Sequence, residues 1–549
     1  MLKTRYELRR MQRVRAGVIP VVCMAVLAGV IAGWSSASAD GTTDPISSVA
    51  NFPASIDAVI VIENAKRLRA SEPGIAVLES FQRAGLLAKT VVSWGDFARE
   101  LGWTSSEAFD ALLGLRVSLL LDDLDRADGP RWVLLAEVDR SAEDRIRRRL
   151  ELTPRTIAHG TRVLAGERGR IHLAIIPGDT RDKVSSLMLT SSEHEAFFRR
   201  VLASVADPAA SAPRLRDTRG YRELQRLERR SVRVLIQPGA KVGTAGEFCA
   251  VSAALSDGGF TAHWRTSLDA FGIQDAMNQG VQPWSREAFD SVSDDALIAV
   301  MGVGPSAFGV VGRFVATMLN IDEEDGDWPT LGPVRLLAVH RGDGGKPGGS
   351  PSERRDGWAR VRVTLATQTS GAERAAEADG AIAGFVSGIG TSDRADALDL
   401  DGAFPGAVRS VRVTLNDRVN GPWVEGLGSN PRISWAQSLP AQVRGGGSVP
   451  WLVVELDGGD SSQAPDRRVA HLINALSAVQ EPTDRGTMVS LGVVRPRALV
   501  RWITTLGLDP TAKLTPFSAV ESLRWEAWSE GGDVVIGRAE VVMRRGAGR

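Results

Sequence analysis

Apolar residues along this chain recur most clearly at every second position. In the run Trp358 to Leu365, Ala359, Val361, Val363 and Leu365 fall on one side of an extended segment, and Arg360, Arg362 and Thr364 fall on the other. Val411-Arg412-Val413-Thr414-Leu415 repeats five of these letters, and Val232-Arg233-Val234-Leu235 begins the same way. Alternation of this kind predicts antiparallel sheets with one dry and one wet face, because strands covered by helices on both sides are apolar throughout.

Helical periodicity appears between the strands. Ser192-Glu193-His194-Glu195 predicts a capping box, followed by an apolar stripe of Phe198, Leu202 and Val205. Val469, Leu472, Ile473, Leu476 and Val479 predict a second amphipathic helix that starts near Asp466 and is closed by Pro482. Strands and helices alternate irregularly with hairpins among them. The expected class is therefore α+β: two related lobes with mainly antiparallel sheets and packed amphipathic helices.

A length of 549 residues exceeds what one core usually organises, and short echoes suggest how the chain divides. Asp57-Ala58-Val59-Ile60-Val61-Ile62 returns as Asp295-Ala296-Leu297-Ile298-Ala299-Val300, and Ser256-Asp257-Gly258-Gly259 returns as Ser529-Glu530-Gly531-Gly532. The glycine pairs read as hairpin turns. The expected organisation is a signal peptide over 1–39, a first lobe over 40–270, a linker over 271–294 and a second lobe over 295–546. Two long loops, Gly342 to Gly357 and Asp417 to Gly447, mark the second lobe.

The body after Asp40 resembles exported bacterial proteins catalogued only as a domain of unknown function. The likeness is carried by the opening Asp57 to Leu68, the segment Trp94 to Gly114, Thr218-Arg219-Gly220-Tyr221 before a helix, and the closing hairpins. No catalytic or ligand residue is attached to that family, so the resemblance implies export and assigns no chemistry.

The first residues agree with export. Lys3, Arg5, Arg9, Arg10, Arg13 and Arg15 precede an apolar run from Ala16 to Gly33, and Ala37 and Ala39 form a small-x-small signal-peptidase site ahead of Asp40. The expected location is periplasmic or secreted; the alternative is a membrane anchor formed by residues 16–33 if the leader is not cleaved. Val22 before Cys23 does not fit a lipobox, and the residues after Arg9-Arg10 do not fit a twin-arginine signal. Cleavage leaves Cys249 as the one cysteine, and its apolar flanks predict a buried strand residue. With 66 basic and 66 acidic residues the chain is neutral, which argues against a nucleic-acid partner.

Several stretches imitate motifs. Gly302-Val303-Gly304-Pro305-Ser306-Ala307 fits a dinucleotide fingerprint in letters but has no acidic residue ending a second strand at the required distance, so no cofactor is expected. His194-Glu195 has Phe198 where a zinc helix needs its second histidine, and Phe308 stands where a nucleophile elbow around Ser306 needs glycine. His159, His172, His194, His263, His340 and His471 are scattered without ligand spacing. Asp122, Asp123, Asp125 and Asp128, and likewise Asp322, Glu323, Glu324, Asp325 and Asp327, lack the calcium-loop register and read as solvated turns. Trp423, Trp435 and Trp451 frame a glycine-rich excursion and form a candidate binding loop for a protein or glycan partner. The expected function is a non-catalytic binding or envelope-structural module; the alternative is an extracytoplasmic hydrolase with a dispersed active site.

Overall fold

The computed structural model describes residues 49–543 outside several internal stretches, chiefly 72–94, 207–212, 239–246, 304–333, 342–360, 369–389, 399–407, 416–430, 438–450, 459–464, 478–485 and 506–517. The leader with Ala37 and Ala39, the loop residue Trp423, the motif from Gly304 to Phe308 and the second acidic run all lie outside the described residues. No described helix is long and apolar enough to cross a membrane. The chain forms two compact units. One, the N-terminal unit, holds Val21–Ala270 with Ile536–Arg549; the other, the C-terminal unit, includes Phe271–Val535.

The N-terminal unit contains β1 (Ala58–Ile62), β2 (Val117–Asp122), β3 (Arg131–Asp139), β4 (Thr153–Thr156), β5 (Arg162–Arg168), β6 (Ile171–Ile176), β7 (Val184–Ser191), β8 (Val232–Ile236), β9 (Cys249–Ser256) and β10 (Gly259–Ser267). Antiparallel pairing sets the order β10-β9-β8-β1-β2-β3-β7-β6-β5-β4. Helices α1 (Ser105–Leu112) and α2 (Arg140–Leu150) bury Leu112, Ala142 and Ile146 with Val138, Leu173, Ile175, Leu187 and Leu189 on one face of this sheet. Helix α3 (Glu195–Ala206) meets the other face, where Phe198 contacts His172, one residue out of phase with Leu173. α4 (Arg219–Arg226) follows, against β8 and β9.

In the C-terminal unit, α5 (Arg286–Ser293) precedes β11 (Ala296–Val303), β12 (Val334–Arg341), β13 (Val361–Gln368), β14 (Gly390–Ser392), β15 (Asp396–Leu398), β16 (Val408–Leu415), β17 (Arg432–Gln437) and β18 (Trp451–Asp457). Then come α6 (Pro465–Ser477), β19 (Thr487–Val494), α7 (Pro496–Thr505) and β20 (Val520–Ser529). The antiparallel order is β20-β19-β11-β12-β13-β18-β17-β16-β15, with β14 further along β16. The last strand, β21 (Val534–Met543), pairs with β10 and belongs from Ile536 onward to the N-terminal unit, where Met543 N donates to Gly258 O at 2.7 Å.

From β9 to β4 and from β20 to β15 the two orders match strand for strand, and β10 has no counterpart in the second order. β1 lies between β2 and β8, and β11 lies between β12 and β19; β3 then meets β7 as β13 meets β18. Backbone bonds agree: Gln237 N donates to Asp57 O at 2.7 Å just before Pro238, and Arg495 N donates to Leu297 O at 2.8 Å just before Pro496. Aligned on those prolines, Ala58 corresponds to Ile298 and not to Ala296. The echo of letters is thus displaced by two residues beside a bulge between Ala296 and Ile298, a shift that keeps every side chain on its face. One closing turn joins β9 to β10 with Gly259 opposite Ser256, and the other is closed by Glu530 N donating to Val534 O at 3.2 Å.

The structure corrects the expected α+β class. Antiparallel strands dominate both units and helices are few. The misreading has a physical source, because β8 and β11 are buried along their whole length and show no alternation to count. Arg233, assigned to a wet face, is 1% exposed and donates to Leu224 O. In β13 the assignment reverses: Thr364 is buried while Val363 and Leu365 are half-buried. The predicted capping box does not form, since α3 is entered through a 3-10 turn over Ser192–His194. A true capping box stands at Thr104 and Glu107, where Glu107 N donates to Thr104 Oγ1 at 3.2 Å and Thr104 N to Glu107 Oε2 at 2.8 Å. The stretch 271–294, expected as a linker, carries α5, and 417–447 carries β17.

Candidate functional site

Among the described residues of the C-terminal unit, charged and hydroxyl side chains gather on one face of β13, β18, β17 and β16, and α6 packs on β18, β17 and β16. Strand register sets Ser410 beside Ser434, Ser434 beside Glu455 and Glu455 beside Thr364; one step along, Arg432, Asp457, Arg362 and His340 form a second row. Residues two apart share a face, so Glu455 and Asp457 point the same way. The sequence Val454-Glu455-Leu456-Asp457 reads as a half-wet strand, yet these carboxylates are only 3% and 5% exposed.

They tolerate burial because α6 supplies a cation. Its stripe of Val469, Leu472, Ile473 and Leu476 is buried, which fixes the rotation of the helix and directs Arg468, in its first turn, at the strands. Arg468 Nη2 lies 2.6 Å from Glu455 Oε1 and 2.6 Å from Asp457 Oδ2, and Nε donates to Glu455 Oε1 at 3.0 Å. Burial pulls the guanidinium pKa down, but its bonds to the two carboxylates outweigh this and hold it above the usual value. Thr364 Oγ1 donates to Glu455 Oε2 at 3.5 Å, Arg432 Nε donates to Ser410 Oγ at 2.5 Å, and the hydroxyls of Ser410 and Ser434 lie 3.1 Å apart.

The second row ends at a histidine. His340, 1% exposed, places Nδ1 2.8 Å from Asp295 Oδ1, while Arg362 Nη2 lies 3.7 Å from Asp295 Oδ2. The hydrogen bond from His340 is the main reason the Asp295 pKa falls to about 2; burial opposes it, and the charges of His340 and Arg362 add to the fall. A carboxylate that orients a histidine is half of an acid–base device. Here the imidazole is enclosed, and the pair fastens β12 to the residue before β11.

The N-terminal unit holds a simpler counterpart under α3. Arg200 Nη2 lies 2.7 Å from Asp122 Oδ2, which Arg131 also approaches at 2.9 Å. Asp122 is therefore a buried, paired residue rather than part of a solvated turn, whereas Asp125 and Asp128 lie outside the described residues. His194, 6% exposed, accepts from Trp132 N at 3.4 Å through Nδ1. Desolvation lowers its pKa, partly offset by Glu193 and reinforced by Arg126 and Arg131.

The sequence candidates are dispersed. Trp435 and Trp451 are strand residues, 6% and 2% exposed, and so offer no aromatic surface of the kind expected for a binding loop. Cys249 is buried at the start of β9, opposite Ile236 and Thr266. His172, His263 and His471 are far apart in the strand order or on different units, and His159 lies outside the described residues. Among the described residues no group of His, Cys, Asp or Glu is arranged to hold a metal ion. Sequence reasoning missed Arg468, Glu455 and Asp457; their signal was a strand with two carboxylates in phase, followed by an amphipathic helix with arginine in its first turn. No family model, no curated protein and no solved structure matches this chain.

Proposed function

We propose that this chain is an exported, non-catalytic protein, a binding or envelope-structural module made of two copies of one β-rich unit. The observation that carries this reading is the use to which buried ionisable groups are put. Glu455, Asp457 and Asp122 are each held by an arginine from the overlying helix, so their charges fasten helices to sheets and do not converge on an open site. The shared strand order supports duplication, because equal neighbours at successive positions are not demanded by composition. The basic, apolar and small-residue stretches of the first 39 residues support export.

The alternative, an extracytoplasmic hydrolase, draws on the oriented His340–Asp295 pair. Burial of His340 at 1% exposure favours the structural role.

The test is cell fractionation followed by mass measurement of the intact protein. The expected result is accumulation outside the cytoplasm with Asp40 as the first residue; a cytoplasmic chain beginning at Met1 would overturn export. Purified protein should leave ester, phosphate, glycoside and peptide substrates unchanged. Turnover abolished by His340→Asn in a variant that still folds would instead establish the hydrolase.

A further inference from the structure

We propose that the exposed face of α2 docks on the anionic headgroups of a phospholipid bilayer, bound by charge and without insertion. The proposal rests on the reading of an exported module and names the partner of one unit. Helix α2 has the sequence Arg-Ser-Ala-Glu-Asp-Arg-Ile-Arg-Arg-Arg-Leu over Arg140–Leu150. Ala142 and Ile146 are buried against the sheet. At 3.6 residues per turn, Arg140, Arg147 and Arg148 fall on the opposite half around Asp144, while Arg145 and Arg149 fall toward the buried side, with Arg149 still exposed in the last turn.

Three of the five make contacts within the unit, Arg148 through Nε to Asp144 O at 3.1 Å. Arg145 Nε donates to Leu101 O at 3.1 Å with its guanidinium 4.8 Å from the centre of the Trp103 ring, and Arg147 lies 3.9 Å from Glu143. Among the described residues, Arg140, Arg148 and Arg149 meet no carboxylate at ion-pair distance. Glu143 is turned toward Ser185, whose Oγ donates to it at 2.6 Å, and Glu107 on neighbouring α1 is occupied by its own capping box. The face is therefore cationic, in a chain whose total charge is zero.

Helix geometry alone does not require this. One or two basic residues satisfy the carbonyl end of a helix. The corresponding stretch of the other unit, between β13 and β14, carries Arg374 against Glu373, Glu377 and Asp379 in its sequence. The shared strand order thus does not demand a basic segment at this place. Guanidinium groups bind phosphate oxygens through paired N–H donors, which fits phosphodiester headgroups. Insertion is disfavoured because the exposed half of α2 has no apolar side chain, and Leu115, the large apolar residue that is exposed among those described, lies outside the helix.

The test is co-sedimentation of the purified extracytoplasmic protein with vesicles of phosphatidylglycerol and phosphatidylcholine, compared with phosphatidylcholine alone. Binding is expected only with the anionic vesicles and should fall as salt rises from about 0.05 M to about 0.5 M. The variant Arg147→Ser/Arg148→Ser/Arg149→Ser should lose about tenfold or more in partition. The control Arg199→Ser/Arg222→Ser/Arg229→Ser removes the same charge from other exposed positions and should retain binding; melting curves establish that both variants fold. Equal losses in the two variants, binding indifferent to lipid charge, or capture only by a soluble polyanion such as heparin would overturn the proposal. The N-terminal mass reports on export separately.

Discussion

The two units answer one problem, fastening a helix over a sheet that carries buried carboxylates, in unequal ways. In the N-terminal unit Asp122 is shared by Arg200 and Arg131, two cations to one anion. In the C-terminal unit Arg468 serves both Glu455 and Asp457. The first arrangement sets two cations on one carboxylate, and the second sets one helix cation on two carboxylates. The two units share the order of strands and the place of the helix, and they differ in the polar chemistry beneath the helix.

The largest effect is expected where one helix cation serves two buried carboxylates. Arg468→Met leaves two enclosed carboxylates without their helix cation and should cost about 3 kcal/mol or more in urea unfolding. Arg200→Met should cost about 1 kcal/mol, because Arg131 remains and Arg200 is itself 42% exposed. Equal losses would mean that neighbouring arginines take over from Arg468 and would erase the contrast. Adding Glu455→Gln and Asp457→Asn to Arg468→Met should recover part of the loss, since the neutral amides no longer carry enclosed charge.

A smaller effect probes packing. Gly492 faces Trp525 across β19 and β20, and a Cβ there would stand 2.0 Å from the indole ring. The N-terminal unit repeats the device, with Trp264 laid over Gly537 at 2.2 Å from a Cβ. Gly492→Ala and Gly537→Ala should each destabilise by about 1–3 kcal/mol through displacement of the tryptophan. A near-ultraviolet spectrum that changes in both variants would support equivalence of the device, and a change in one alone would break it.

The closing turns should separate two positions that the letters equate. Gly531 has φ +94°, whereas Gly258 has no positive φ and open space around its α-carbon. Gly531→Ala is expected to cost about 1 kcal/mol and Gly258→Ala close to nothing. Matching melting temperatures for the two variants would show that the turns are alike after all.

The smallest effects concern acid. With the Asp295 pKa lowered to about 2, the bond to His340 contributes stability that is present above the ordinary aspartate range and lost as pH falls from about 4 through 2. Asp295→Asn should flatten the melting curve over that range, modestly, because the side chain is 68% exposed and screened. His194 acts in the same direction at higher pH. Its pKa is lowered by enclosure, so the folded state resists the proton, and stability should decline as pH drops below about 6.5. His194→Gln should remove that part of the decline, as read by melting temperature between about pH 7 and 5.

Local pattern determined much about this protein by itself. Period-two runs located β16, and helical spacing located α6 with its buried Val469, Leu472, Ile473 and Leu476. Those features follow from neighbours within a few residues, where the chain's own geometry dictates which side chains share a face. Three matters were decided only by tertiary structure. The class moved from α+β to a mainly antiparallel β architecture, because strands buried on both faces lose the alternation that identifies them. Thr364, Arg233, Glu455 and Asp457 became interior residues, because a helix or a second layer covers the face that alternation marks as wet. Arg468 acquired its role because 11 and 13 residues of chain bring it back onto Asp457 and Glu455. Whether a charged side chain meets water or a partner depends on what the rest of the chain lays over it, and the spacing of letters along one strand does not contain that information.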